Sequence, residues 1–193
     1  MQNNSTRQCK TVVIGVSTGG VQALKLVLGG LPSDFPVPIL VVAHIMPTAD
    51  NGLAILLDAH CSLRVKEADD QETINAATVY LAPANYHLLV ERDGRLALSI
   101  DPLVNFARPS VDVLFESAAE AFGASVIGII LTGAGCDGSN GLARIQQRGG
   151  ITIVQDPADA EMDAMPGSAL HLLKPDFVKP LKEIPGLLVT LVE

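Results

Sequence analysis

Thr11-Val12-Val13-Ile14 runs directly into Gly15-Val16-Ser17-Thr18-Gly19-Gly20 and then into Val21-Gln22-Ala23-Leu24. A short β-branched run followed by a glycine-rich turn and by apolar residues at helical spacing through Leu28 predicts strand, tight turn and amphipathic helix in succession. The junction sets the Ser17 hydroxyl at the mouth of a strand-to-helix turn, beside the free N–H groups and positive dipole end of a helix start. Gly15, Gly19 and Gly20 permit conformations and approaches that a Cβ would block. Both an activated serine and an oxygen anion fit such a place.

The same rhythm continues along the chain. Val37–Ala43, Leu63–Glu67, Val126–Leu131 and Ile151–Val154 are nearly continuous apolar runs, as strands covered on both faces require. Helical spacing recurs over Gly52–Ala59, Val111–Phe122 and Gly141–Gln147. Strands alternating with helices predict an α/β fold, a doubly wound three-layer sandwich with a mostly parallel central sheet. Val79–Ala82, His87–Glu91 and Leu96–Ile100 break the rhythm, and Asp93-Gly94 supplies the turn of an appended β-hairpin. Pro102 to Pro109 reads as a surface connection, and Leu187–Val192 fits strand or helix equally.

The 193 residues, 48% of them hydrophobic, suffice for one domain with a sizeable core. Residues 1–10 form a polar N-terminal segment without the apolar centre of a signal peptide, and 11–193 form the domain. No stretch approaches the roughly 20 apolar residues of a membrane span, so a cytoplasmic protein without direct membrane insertion is expected. Cys9, Cys61 and Cys136 are odd in number and lack CxxC spacing, which predicts reduced thiols and neither a disulfide framework nor a zinc knuckle. A formal charge of -8 without a basic run argues against nucleic acid and anionic membranes as partners.

In an open α/β sheet the ligand sits outside the carboxyl ends of the strands. Three loops there are chemically suggestive: the first carries Ser17 and Thr18, the second carries His44, and the third reads Thr132-Gly133-Ala134-Gly135-Cys136-Asp137-Gly138. A serine hydroxyl needs a base to take its proton, and an imidazole serves best when a carboxylate orients it. Each residue also has a plainer reading, Ser17 and Asp137 as helix caps or turn residues and His44 as a strand-end histidine. A dinucleotide loop is disfavoured, because the glycine spacing is not GxGxxG and the second strand ends in His44 rather than an acid. Cys136 has nothing nearby to activate a thiolate, which makes it a packing residue.

At these residues the chain resembles the catalytic domain of the chemotaxis protein-glutamate methylesterase (CheB) family. The resemblance rests on Gly15 to Gly20 with Ala23-Leu24, on His44 after an apolar strand, and on Leu131 to Gly138. Ala82-Pro83 with His87, Arg108-Pro109-Ser110-Val111-Asp112-Val113-Leu114-Phe115, Gln155-Asp156 and Met165-Pro166 follow in the family order, so the likeness runs from about Thr11 to the C-terminus. It implies hydrolysis of glutamyl methyl esters on the cytoplasmic helices of methyl-accepting chemotaxis receptors, with release of methanol, and deamidation of receptor glutamines in many members. Ser17 would be the nucleophile, His44 the base and Asp137 its orienting acid, with Thr18 and the Ala134 loop near the oxyanion. His87 and Met165 are candidates for the substrate cleft. No metal or organic cofactor is implied. A non-catalytic binding module with the same fold is the alternative, disfavoured because all three triad candidates are present.

Several residues depart from the family pattern. Ala134 stands where the family usually has methionine, which removes side-chain bulk near the nucleophile but keeps a backbone N–H. Cys136 replaces a commonly polar residue, and Ala164 replaces the glycine before Met-Pro. Ala49, Asp50 and Leu56 stand in place of phenylalanine, threonine and arginine. The 193 residues contain no counterpart of the family's N-terminal receiver domain, which leaves two readings open: a piece of a longer protein, or a stand-alone member controlled by a regulatory partner. Arg108 and Arg144 are candidate docking groups for acidic receptor helices.

Overall fold

The computed structural model describes residues 9–44 and 52–193. Seven parallel strands build the main sheet: β1 (Thr11–Val16), β2 (Ile39–Ala43), β3 (Arg64–Glu67), β4 (Thr78–Leu81), β7 (Val126–Ile130), β8 (Ile151–Gln155) and β9 (Phe177–Lys179). Their spatial order is β3-β4-β2-β1-β7-β8-β9. The chain therefore winds outward from β1 through β2 in one direction and from β7 in the other, leaving a topological switch point between β1 and β7.

The pleat of β1 assigns the two cores. Val12, Ile14 and Val16 face a layer made by α1 (Gly20–Gly29), α2 (Gly52–Asp58) and α6 (Ile184–Val192), in a cluster that also takes Leu24, Leu57 and Leu188. Val13 faces the other layer, α3 (Val111–Phe122), α4 (Ser139–Gln147) and α5 (Ala164–Leu172), with Leu114, Phe115 and Leu142. Both faces being covered accounts for the unbroken apolar sequence of β1, β2 and β7.

The tail that fitted strand or helix is helical, with Pro185 in its first turn, where a missing N–H costs nothing. Val79–Ala82, read as a break in the strand–helix rhythm, instead supplies most of β4, paired in parallel between β2 and β3. Its brevity and the absence of a helix before it concealed this role, since β3 reaches β4 through a turn region rather than a helical crossover. The hairpin proper is β5 (His87–Val90) with β6 (Leu96–Ser99), separate from the main sheet. Leu88, Val90 and Leu96 bury it in the second core, and the Val90 N–H donates to Ser117 Oγ on α3 at 3.1 Å.

Val111 at the start of α3 sits in a notch between two glycines. A Cβ on Gly15 would lie 2.3 Å from Val111 Cγ1, and one on Gly138 would lie 2.6 Å from the same atom, the latter residue also having φ +98°. This close approach brings the N-terminus of α3 over the ends of β1 and β7. Gly15→Ala is expected to cost about 1–3 kcal/mol of stability through overpacking, read by urea unfolding. The added Val111→Ala change should recover part of that loss if the collision is the cause.

Candidate active site

Ser17 follows β1 directly, its N–H donating to Thr132 O at 3.0 Å while its carbonyl accepts from Gly20 N–H at 2.8 Å. The N-cap of α1 is Gly19, in the left-handed region at φ 78°, and among the described residues no side chain caps the helix. The Ser17 hydroxyl is thus not used as the cap that its position in sequence allowed. Thr18 is exposed beside it, and its carbonyl accepts from Thr132 Oγ1 at 2.9 Å. His44 follows β2, its N–H donating to Val16 O at 3.0 Å, so the backbones bearing serine and histidine are held side by side by the sheet.

The third loop is pinned from several sides. Thr132 N–H donates to the buried Gln155 Oε1 at 2.8 Å, Gly133 N–H to Met162 O at 3.0 Å, and Met165 N–H to Gly133 O at 2.9 Å. A Cβ on Gly133 would lie 2.1 Å from Met165 Sδ and 2.8 Å from Ser17 Cβ, so only glycine lets the loop run this close to the serine. Ala134 is exposed at the tip, and among the described residues its N–H enters no hydrogen bond.

Asp137 is 5% exposed and forms the hub of the site. Its Oδ2 lies 2.9 Å from His44 Nε2 and accepts from Val111 N–H at 2.7 Å. Its Oδ1 accepts from Asn105 Nδ2 at 2.7 Å, Ser110 Oγ at 2.8 Å and Asp112 N–H at 3.2 Å. The contact with His44 is short, but the oxygen lies off the axis of the ring N–H. Burial pushes this carboxyl up. The donors from His44, Asn105, Val111 and Ser110 outweigh burial and hold it below the usual aspartate range.

His44 lines two adjoining depressions. One, of about 430 Å³, is shared with Ser17, Thr18, Gly19 and Glu161; the other, of about 420 Å³, with Asn105, Phe106, Ala134, Cys136 and Asp137. The three loops at the switch point therefore meet at the imidazole.

His87 and Met165 sit elsewhere than on a cleft wall. His87 is 1% exposed, its Nδ1 accepting from Ser110 N–H at 3.2 Å and its Nε2 lying 3.1 Å from Pro102 O. It braces the segment before α3. Met165 is fully buried beneath Gly133. The docking candidates are committed as well: Arg108 donates to the carbonyls of Ile100 and Asp101, and Arg144 joins Arg148 on Glu120. Hydrogen bonds from Arg148 and Arg144 pull that exposed carboxyl down to about 2. Ala49 and Asp50 lie outside the described residues.

All three cysteines are free, and burial pushes the Cys9 thiol up to about 11. Among the described residues no cluster of three or more His, Cys, Asp or Glu side chains is placed to hold a metal, and no helix is long and apolar enough to cross a membrane. Sequence reasoning left Asn105, Ser110 and Gln155 without roles. Ser110 and Gln155 lay within segments already singled out, whereas nothing local marked Asn105.

A doubly wound sheet with a serine, a histidine and a heavily hydrogen-bonded aspartate gathered at its switch point defines a hydrolase-type α/β domain. Within that class the chain belongs to the CheB methylesterase family, whose model matches residues 12–188. A Leptospira interrogans relative is 45% identical over 182 residues, 94% of each chain. A Thermotoga maritima relative named protein-glutamate methylesterase/protein-glutamine glutaminase is 39% identical over 186 residues, 95% of this chain and 54% of that one. The solved Thermotoga maritima CheB methylesterase catalytic domain superposes with a TM-score of 0.91 at 38% identity, covering 96% of this chain and all of that one.

The depressed Asp137 carboxyl predicts a pH dependence of stability. Its folded-state pKa lies below its unfolded one, so the stabilisation is complete above the ordinary aspartate value of about 4 and is lost as pH falls through the folded value. Asp137→Asn should cost about 2–3 kcal/mol at pH 7, the gap from the parent narrowing as pH drops below about 4. Urea unfolding of both proteins across pH 2.5–7 reads this out, and a gap that stays constant would contradict it.

Proposed function

We propose that the chain is a protein-glutamate methylesterase acting on methyl-accepting chemotaxis receptors, with glutamine deamidation as a second outcome of the same acyl transfer. The observation that carries this reading is His44, whose Nε2 lies 2.9 Å from Asp137 while its ring lines the depression holding Ser17. Family membership and the name carried by the Thermotoga maritima relative support the substrate class.

Ser17 Oγ attacks the side-chain carbonyl carbon of the esterified glutamate while His44 takes the hydroxyl proton on Nδ1, Nε2 being turned to Asp137. Asp137 orients the ring and stabilises its charged form. The tetrahedral oxyanion faces the Ala134 N–H and the backbone beside Thr18, donors not spent within the fold. Collapse breaks the ester C–O bond, and His44 returns the proton so that methanol departs and the acyl group remains on Ser17. Water, deprotonated by His44, then cleaves the acyl-enzyme to give glutamate and free serine. With a glutamine substrate the leaving group is ammonia. No step needs a metal or organic cofactor. The receptor helices are the protein partner, and the reaction belongs to the cytoplasm.

Methanol release from a methylated receptor cytoplasmic fragment tests the reading. Ser17→Ala and His44→Ala should each lower kcat by about 10³-fold or more, and Asp137→Asn by a comparable factor. A folded parent protein that releases no methanol would overturn it.

A further inference from the structure

A sharp turn beside the site displays the most exposed large apolar side chain among the described residues. Val104 and Ala107 exchange two backbone hydrogen bonds, at 3.1 and 2.9 Å, closing a two-residue hairpin. Between them Asn105 and Phe106 both adopt positive φ, 50° and 62°, as a turn of the type I′ kind requires. Phe106 is 99% exposed. An aromatic residue is disfavoured in the left-handed region, where asparagine or glycine is at ease. The turn therefore holds an unfavourable backbone at Phe106 and presents its ring to water.

Asn105 secures that geometry. Its amide donates to Asp137 at 2.7 Å and to Asp112 at 2.8 Å, so the turn is tied to the acid of the site and to the start of α3. Phe106 lines the same depression as His44 and Asp137. The apolar surface continues along the segment, with Leu103 59% and Ile100 71% exposed. The hairpin register, which pairs His87 with Ser99, brings the exposed Tyr86 next to Ile100.

Charge offers little alternative for recognition. The chain carries -8, and the two arginines that the sequence offers as docking groups are spent, Arg108 on backbone carbonyls and Arg144 on Glu120. An acidic receptor surface would be repelled rather than steered. A glutamate bearing a methyl ester is neutral, and the side chains flanking it on a helix can offer apolar contacts. We propose that the Val104–Ala107 turn docks the protein substrate, with Phe106 packing against apolar side chains next to the esterified glutamate. This rests on the methylesterase reading above, and it assigns substrate affinity to a residue that takes no part in the bond-breaking steps.

Steady-state methanol release from a methylated receptor cytoplasmic fragment, with Phe106→Asn, Phe106→Leu and Leu172→Ser compared with the parent, tests it. Asparagine keeps the left-handed backbone while removing the apolar ring, and Leu172 is an exposed apolar residue at the end of α5. The expected result is a tenfold or greater rise in KM for Phe106→Asn with kcat within about twofold, most of the affinity recovered in Phe106→Leu, and no change in Leu172→Ser. An unchanged KM in Phe106→Asn overturns the docking role, as does a fall in kcat alone, which would mark the turn as a support for Asp137. A parent protein that releases no methanol overturns the methylesterase reading itself and the docking role with it.

Discussion

One buried carboxylate ties the functional end of this molecule together. Asp137 sits at the N-terminus of α3, where it accepts the Val111 and Asp112 N–H groups that the helix cannot satisfy internally, and on its other side it meets His44. An aspartate removed from water is costly unless its lone pairs are filled, and here four donors besides the imidazole fill them. The same interactions therefore favour the ionised carboxylate, cap a helix and set the carboxylate against a histidine. Asp137 does cap a helix, though that helix is α3 and not the one that follows it in sequence, and the cap leaves Oδ2 facing His44 as the proposed acid role requires.

That arrangement depends on how closely α3 can approach the sheet. Gly15 and Gly138 leave the notch that receives Val111, and Gly133 lets the third loop pass between Ser17 and Met165. Gly15 on β1 and Gly138 after β7 flank the switch point, so the glycines that read as local turn residues act chiefly by making room between elements. His87 and Met165, buried and bonded or packed beneath the site, belong to this supporting layer. Their chemistry resembles that of site residues, but their burial gives them a bracing role.

The surface around the cleft balances two opposing tendencies. Net acidity disfavours approach to acidic proteins, while the exposed apolar side chains Ile100, Leu103 and Phe106 can gain from desolvation on contact. Coupling between the two is short in range, since the turn bearing Phe106 hangs on Asn105 and through it on Asp137. The proposed docking turn and the proposed acid thus share a hydrogen-bond network only a few side chains deep.

Local pattern along the chain was enough to read the α/β class, the parallel strands β1, β2, β7 and β8, and the three loops bearing Ser17, His44 and Asp137, because buried parallel strands and strand-to-helix turns carry compact signatures. The insertion of β4 between β2 and β3 escaped that reading, since a four-residue strand reached without a helical crossover has no periodicity of its own. So did Asn105, which lies 32 residues from the carboxylate it holds and sits between apolar neighbours with no motif of its own. The burial of His87 and the commitment of Arg108 and Arg144 were equally hidden, because a side chain's partner across the fold is set by packing of distant elements and leaves no mark at its own position.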